Sequence, residues 1–243
     1  MKIFVINSGS SSIKYQLFNM PDPKPVCLGQ IEKIGGQAEI KHTVTRIAGK
    51  ELKKTIAAKD HKAAMEEIIK LLTDRQSGVI SSANEIDVVG HRIVHGGEDF
   101  ADATEVDEPI KNKIRSLFSL APLHNPVNFE CLELAEKSFP AAIQIAVFDT
   151  AFHQTIPAHA YRYAIPEKFY NDDHIRVYGF HGTSHKYIVK KAAEFLGQMP
   201  GKIVSVHLGN GCSITAVKDG RSVDTSMGFG PLAGLVMGTR AGD

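Results

Sequence analysis

Residues 203–230, IVSVHLGNGCSITAVKDGRSVDTSMGFG, constrain the fold more than any other stretch of this chain. An apolar run at 203–206 enters a Gly209-Asn210-Gly211 turn, leaves through Ser213-Ile214-Thr215-Ala216-Val217 and turns again at Asp219-Gly220. The pattern predicts two strands joined through glycine. Glycine permits positive φ and leaves backbone N–H groups unobstructed, so such a turn is expected to close around an anion. His207 and Asn210 flank it with side-chain donors that a strand does not need.

A second strand, polar turn and strand open the chain. The apolar run 3–6 meets Asn7-Ser8-Gly9-Ser10-Ser11-Ser12, after which Ile13, Tyr15 and Leu17 alternate with Lys14 and Gln16. Further strands are expected at 25–33, 38–45 and 52–57, as an antiparallel meander broken at Pro21-Asp22-Pro23 and Gly35-Gly36. Asp60 is expected to cap a helix to Leu72. A buried strand at 87–94, a helix opened by Pro109 and running to about 120, and another from Asn125-Pro126 to about 137 follow, Asn125 acting as the cap. A strand at 143–148 leads to Asp149 and a linking segment. A helix capped by Thr183 or Ser184 then runs to 196, with Ile188, Ala192 and Phe195 along one side. Strands succeeded by helix–strand alternation predict α/β layers with functional residues at strand ends. The glycine-rich end, 234–243, closes on neither helix nor strand and reads as a cut chain.

Composition narrows the function. The balance of 28 Lys+Arg against 27 Asp+Glu, without a basic block, lacks the footprint of a nucleic-acid binder. Cys27, Cys131 and Cys212 form no CxxC and suit a reduced, cytoplasmic protein. The opening residues are too short an apolar run for a signal peptide, and no stretch reaches membrane-spanning length.

Several motifs together resemble the acetate kinases of the acetokinase family: Asn7-Ser8-Gly9-Ser10-Ser11-Ser12-Ile13-Lys14, Gly90-His91-Arg92-Ile93-Val94-His95-Gly96-Gly97, Ala121-Pro122-Leu123-His124-Asn125-Pro126, Phe148-Asp149-Thr150-Ala151-Phe152-His153, Tyr178-Gly179-Phe180-His181-Gly182-Thr183-Ser184-His185, and His207 through Gly238-Thr239-Arg240. The resemblance implies an actin-like α/β fold of ribonuclease-H-like domains, the first (1–149) nearly complete and the second (150–243) partial. It also implies Mg²⁺, ATP/ADP as co-substrate, a short carboxylate as acceptor and a homodimer in the full-length protein. On this resemblance the adenine-binding loops, a Mg²⁺-associated glutamate and the terminal helices lie beyond Asp243.

Phosphoryl transfer to a carboxylate brings two anions together, so positioning and charge neutralisation carry the catalysis. By resemblance Arg92 and Arg240 flank the acceptor and the migrating group, and a guanidinium fork suits such oxygens. His181 is expected to donate to the phosphoryl oxygens in the transition state, with His124 a weaker candidate. Lys14, Ser12, His207, Leu208, Gly209, Asn210 and Gly211 are expected to grip ATP, with Ser10 in the same first loop and Asn7 assigned to the metal. Asp149 is expected to orient an arginine or join the Mg²⁺ environment through water. It has no proton to remove, because a carboxylic acid of pKa about 4 is already ionised at neutral pH. Val94, Leu123, Phe180 and Pro231 match the family's pocket for the acceptor's methyl group, and branched Val94 favours acetate over propionate. His153 and His185 are read as structural.

Other chemistries fit less well. The pairs His91/His95 and His181/His185 have zinc-like spacing, but neither carries the HExxH glutamate. Ile214 stands where a dinucleotide fingerprint needs its third glycine, and GxxxxGK[ST] and GxSxG are missing. The rival of another class is an actin-like, nucleotide-switched binding module, which needs neither the arginine pair nor an apolar acceptor pocket.

Overall fold

The computed structural model describes residues 1–45, 51–238 and 240–243. They form two compact units, Met1–Ile93 with Thr104–Val147, and Val94–Ala103 with Phe148–Asp243. The match to Gly238-Thr239-Arg240 falls partly outside the described residues, since Thr239 is not among them.

The first unit contains β1 (Lys2–Gly9), β2 (Ser12–Asn19), β3 (Pro25–Glu32), β4 (Gly36–Val44), β5 (Glu51–Ala58), α1 (His61–Leu72), β6 (Val88–Ile93), β7 (Thr104–Glu105), α2 (Glu108–Ser116), α3 (Asn125–Ser138) and β8 (Ile143–Phe148). Its sheet runs β5-β4-β3-β2-β1-β6-β8-β7. The first five strands form the expected antiparallel meander, and β6 returns parallel to β1. Alternation along β1 and β2 turns Phe4, Ile6, Ile13, Tyr15 and Leu17 to one face, where Met65, Ile68 and Leu72 of α1 cover them. Asp60 caps α1 by accepting the Ala63 N–H at 2.8 Å. The other helix ends differ from expectation. Asp107 caps α2, which stops at Ser116 before a separate 3₁₀ turn, Phe118–Leu120. His124 occupies the cap position of α3, and Asn125 is already helical, because proline in the first turn needs no partner for its missing N–H.

The second unit contains a 3₁₀ turn (Ala151–Thr155), α4 (Ala158–Tyr161), α5 (Lys168–Asp173), α6 (Gly182–Leu196), β9 (Lys202–Leu208), β10 (Cys212–Lys218) and β11 (Arg221–Thr225). The segment read as a linker is thus built from short helical turns. Its sheet is β11-β10-β9, antiparallel throughout. The buried face of this sheet is hydroxylic: Ser205, Ser213, Thr215 and Ser222 are at most 2% exposed. Histidines satisfy Ser205, Ser213 and Ser222, and Thr225 pairs with Thr215, which corrects the face assigned to α6. Its buried positions are Gly182, His185 and Val189, whereas Ile188 and Phe195 are 45% and 90% exposed. The apolar stripe loses because His185 must meet Ser205 and Ser213, and a buried polar group needs its partner more than an apolar one needs burial.

The segment Val94–Ala103 belongs to this unit. Phe100 stacks on Phe148 with ring centroids 4.1 Å apart, and Gly96 is glycine because a Cβ there would lie 2.9 Å from the Phe148 side chain. Buried Arg176 lies 3.6 Å over the Tyr161 ring and bonds Glu98.

Candidate active site

In the first unit the parallel register pairs Ile6 with His91, which brings the next residues, Asn7 and Arg92, side by side. Arg92 Nη1 donates to Asn7 Oδ1 at 3.0 Å. Asn7 pairs across the hairpin with Lys14, and both line one shallow groove on the sheet face opposite the core. Two residues that sequence reasoning passed over anchor the loop. Asn128 Nδ2 donates to the Ser8 carbonyl at 2.7 Å, and His61 Nε2 donates to the Gly9 carbonyl at 2.8 Å. Both come from helices far along the chain, and no local motif marks them. Ser10 is exposed and Ser12 half-buried at the turn. Leu123 is 76% exposed and His124 precedes α3.

In the second unit five of the expected residues converge. His181 is left-handed, at φ 56°, and precedes α6 without a side-chain cap. A non-glycine residue holds this conformation only where its surroundings dictate it. Gly182 and Gly179 supply that constraint. A Cβ on Gly182 would sit 2.3 Å from the Asp149 carbonyl, and one on Gly179, at φ 71°, would meet Thr225 at 2.6 Å. Gly182→Ala is therefore expected to destabilise this unit by about 3 kcal/mol, seen as a lower urea midpoint.

The His181 ring stacks on His207, centroids 4.1 Å apart and planes at 26°. His181 Nδ1 lies 2.9 Å from Ser213 Oγ, and His207 Nδ1 lies 2.9 Å from Ser184 Oγ. Ser184 thus serves His207 and does not cap α6. The 209–211 turn also departs from expectation. Neither glycine takes a positive φ, and the Gly209 N–H closes onto the Gly211 carbonyl at 3.0 Å. Gly211 is needed for room: a Cβ would stand 3.1 Å from the His181 ring and 3.6 Å from Arg240 Nη1. Arg240 Nη1 donates to the Pro231 carbonyl at 3.0 Å and touches Met237 Sδ, partners that leave its charge uncancelled. Gly238 N–H bonds the Asn210 carbonyl, fastening this loop to the turn. Exposed Leu208 and half-buried His207 complete the rim.

Val94 and Phe180 share a small apolar cluster with Met227 and Met237, which lie in glycine-rich loops without periodicity and so escaped the sequence reading. Half-buried Pro231 lies in the same unit, whereas Leu123 belongs to the first. Asp149 is 3% exposed, and its carbonyl accepts the Gly182 N–H at 2.8 Å. Burial pulls His95, His153 and His185 down to about 4, so these three are neutral donors and acceptors at neutral pH.

Among the described residues no group of three His, Cys, Asp or Glu is arranged to hold a metal ion.

The second unit thus gathers two stacked imidazoles and an arginine beside the N-terminus of α6, on an α/β fold of the actin-like class. Comparison with known proteins carries this further: a model described as the acetokinase family matches residues 2–243, and the chain belongs to that family. It is 51% identical to the acetate kinase of Flavobacterium johnsoniae over 243 residues, all of this chain and 61% of that protein. It is equally similar to the acetate kinase of Methanosarcina acetivorans, of which it covers 60%. Among solved structures, Porphyromonas gingivalis acetate kinase superposes with a TM-score of 0.93 at 44% identity, and a propionate kinase from Francisella tularensis subsp. tularensis SCHU S4 at 0.92 and 40%. Each is matched over all of this chain and 61% of its own length. The chain thus spans about 60% of the length of the curated relatives it matches.

Proposed function

We propose that the chain carries the acceptor and donor-phosphate residues of a cytoplasmic, Mg²⁺-dependent acetate kinase, which transfers the ATP γ-phosphoryl group reversibly and in line to acetate. The observation that carries this reading is the grouping of His181, His207 and Arg240 at Gly211, in a chain of the acetokinase family. In this reading, residues 1–149 and 150–243 are the first ribonuclease-H-like domain and the opening part of the second. The full-length protein is a homodimer.

Arg92 presents its fork to the acetate carboxylate and is aimed by Asn7 Oδ1. Acetate is ionised at neutral pH, so the nucleophile needs no general base. Arg240 and the His181 N–H take the equatorial oxygens as charge spreads over them. His207, Leu208, Gly209, Asn210, Gly211, Ser12 and Lys14 hold the ATP phosphates. Asp149 acts as a positioning group for an arginine or for metal-bound water, and Asn7 Oδ1, which already accepts from Arg92, would be the oxygen offered to the metal's shell. When bound, Mg²⁺ neutralises phosphate charge. Val94, Phe180 and Pro231 of the second unit receive the methyl group, with Met227 and Met237 behind the first two. Val94→Ala is expected to raise the propionate-to-acetate ratio of kcat/KM about tenfold, since a methylene in such a pocket is worth roughly 1–3 kcal/mol.

The test is ATP-dependent acyl phosphate formation, trapped as the hydroxamate, with acetate, propionate and butyrate. It is run on this chain and on an extended chain, in which these 243 residues are joined to the part of the Flavobacterium johnsoniae relative outside the matched span. Acyl phosphate with acetate preferred supports the reading. ATP hydrolysis without acyl phosphate favours a nucleotide-switched module.

A further inference from the structure

His185 plays no part in the chemistry above, yet it is wholly buried beside it. Its Nδ1 lies 2.9 Å from Ser205 Oγ and its Nε2 lies 2.8 Å from Ser213 Oγ. Ser213 Oγ in turn lies 2.9 Å from His181 Nδ1. Three hydrogen bonds thus run in series from Ser205 through His185 and Ser213 to His181, and each needs one hydrogen. A neutral imidazole carries one N–H and accepts at its other nitrogen, and a hydroxyl carries one O–H. His185 is neutral, because burial first and the neighbouring histidines second pull it down to about 4. Ser213 is wholly buried and, among the described residues, its hydroxyl meets only these two histidines, so its one hydrogen must be spent within the series and every bond then points the same way.

The direction is set at the buried end. If the series ran from His181 toward Ser205, the Ser205 hydroxyl would accept from His185 and its own hydrogen would require a further acceptor. Ser205 is 2% exposed, and among the described residues its side chain bonds His185 alone. A stranded buried donor is disfavoured, whereas an unused lone pair on a hydroxyl oxygen is tolerated. The series therefore runs outward: Ser205 donates to His185 Nδ1, His185 Nε2 donates to Ser213, and Ser213 donates to His181 Nδ1.

We propose that Ser205, His185 and Ser213 form a one-way hydrogen-bond relay that holds His181 as its Nε2–H tautomer, so that the ring offers a donor, not a lone pair, at Nε2 to an anionic oxygen. The identity of that oxygen rests on the acetate kinase reading; the tautomer does not. His185 and Ser213 are positioning residues, acting through His181. Sequence could not expose the relay, since HGTSH and SIT show neither which serine meets which histidine nor that the strand face is polar inward.

The test is the long-range ¹H–¹⁵N spectrum of this chain labelled at its histidines, near pH 7.5, with the His181 ring assigned by its loss in His181→Gln. The native chain is expected to show the Nε2–H tautomer. Ser213→Ala is expected to abolish that preference while the backbone amide spectrum stays folded, and in the extended chain to lower kcat about tenfold with little change in KM. An Nδ1–H tautomer or an imidazolium at His181 in the native chain overturns the relay, and needs no variant that folds. Persistence of Nε2–H in folded Ser213→Ala overturns it equally. Failure of acyl phosphate formation would remove the kinase reading and leave the tautomer result standing, so the two failures are separable.

Discussion

Arg240→Ala in the extended chain is expected to reduce phosphoryl transfer to acetate about a thousandfold or more, the range in which arginines that neutralise a transferring phosphoryl group act. The reason is geometric. The partners of Arg240 Nη1, the Pro231 carbonyl and the Met237 thioether, fix the guanidinium without cancelling its charge. The effect should fall on kcat more than on KM, because the charge it meets develops in transfer. Arg240→Lys should recover only part of the loss, since an ammonium keeps the charge but not the fork. Steady-state kinetics with acetate and ATP check this, with circular dichroism to verify the fold. A kcat within threefold of the parent would remove Arg240 from the chemistry.

Acidification should unfold the chain well above the usual carboxylate range. Burial holds His91 in the first unit and His95, His153 and His185 in the second near 4, against an ordinary value of about 6.5. Between those values the unfolded chain binds protons that the folded chain refuses, so stability rises with pH across the window. The neutral-form contribution is complete above about 6.5 and is lost as pH falls toward 4, at about 1.4 kcal/mol per pH unit for each such histidine. The second unit holds three of the four and should give way first. Urea titrations at pH 7.5, 6 and 5, with hydrogen exchange to separate the units, read the slope. A urea midpoint flat over that interval would contradict the buried neutral histidines.

Strand placement was legible because alternation and glycine punctuation are local. The meander, the 143–148 strand and the Asp60 cap follow from such signals. What escaped depends on partners distant in sequence. Ile188 and Phe195 look like the inner stripe of α6 until His185 is seen bonded to two serines of the facing sheet. Ser184 looks like a cap until His207 claims its hydroxyl. In β10 the hydroxyls of Ser213 and Thr215 are buried while Ile214 is half-buried, a polarity that only the facing residues explain. The 209–211 glycines were legible as a turn, but the φ freedom that suggested them is not used there. Gly211 leaves space for the His181 ring and Arg240. Asn128, His61, Met227 and Met237 had no local signal, since a residue on another element is recognised only once the fold brings it there.

The central claim is that the γ-phosphoryl group of ATP ends on a carboxylate oxygen. Incubation of the extended chain with [γ-³²P]ATP, Mg²⁺ and acetate tests it directly. The account predicts acetate-dependent label in a product that hydroxylamine discharges, none of it formed by Arg240→Ala. Label released only as inorganic phosphate, at a rate indifferent to acetate, would contradict it.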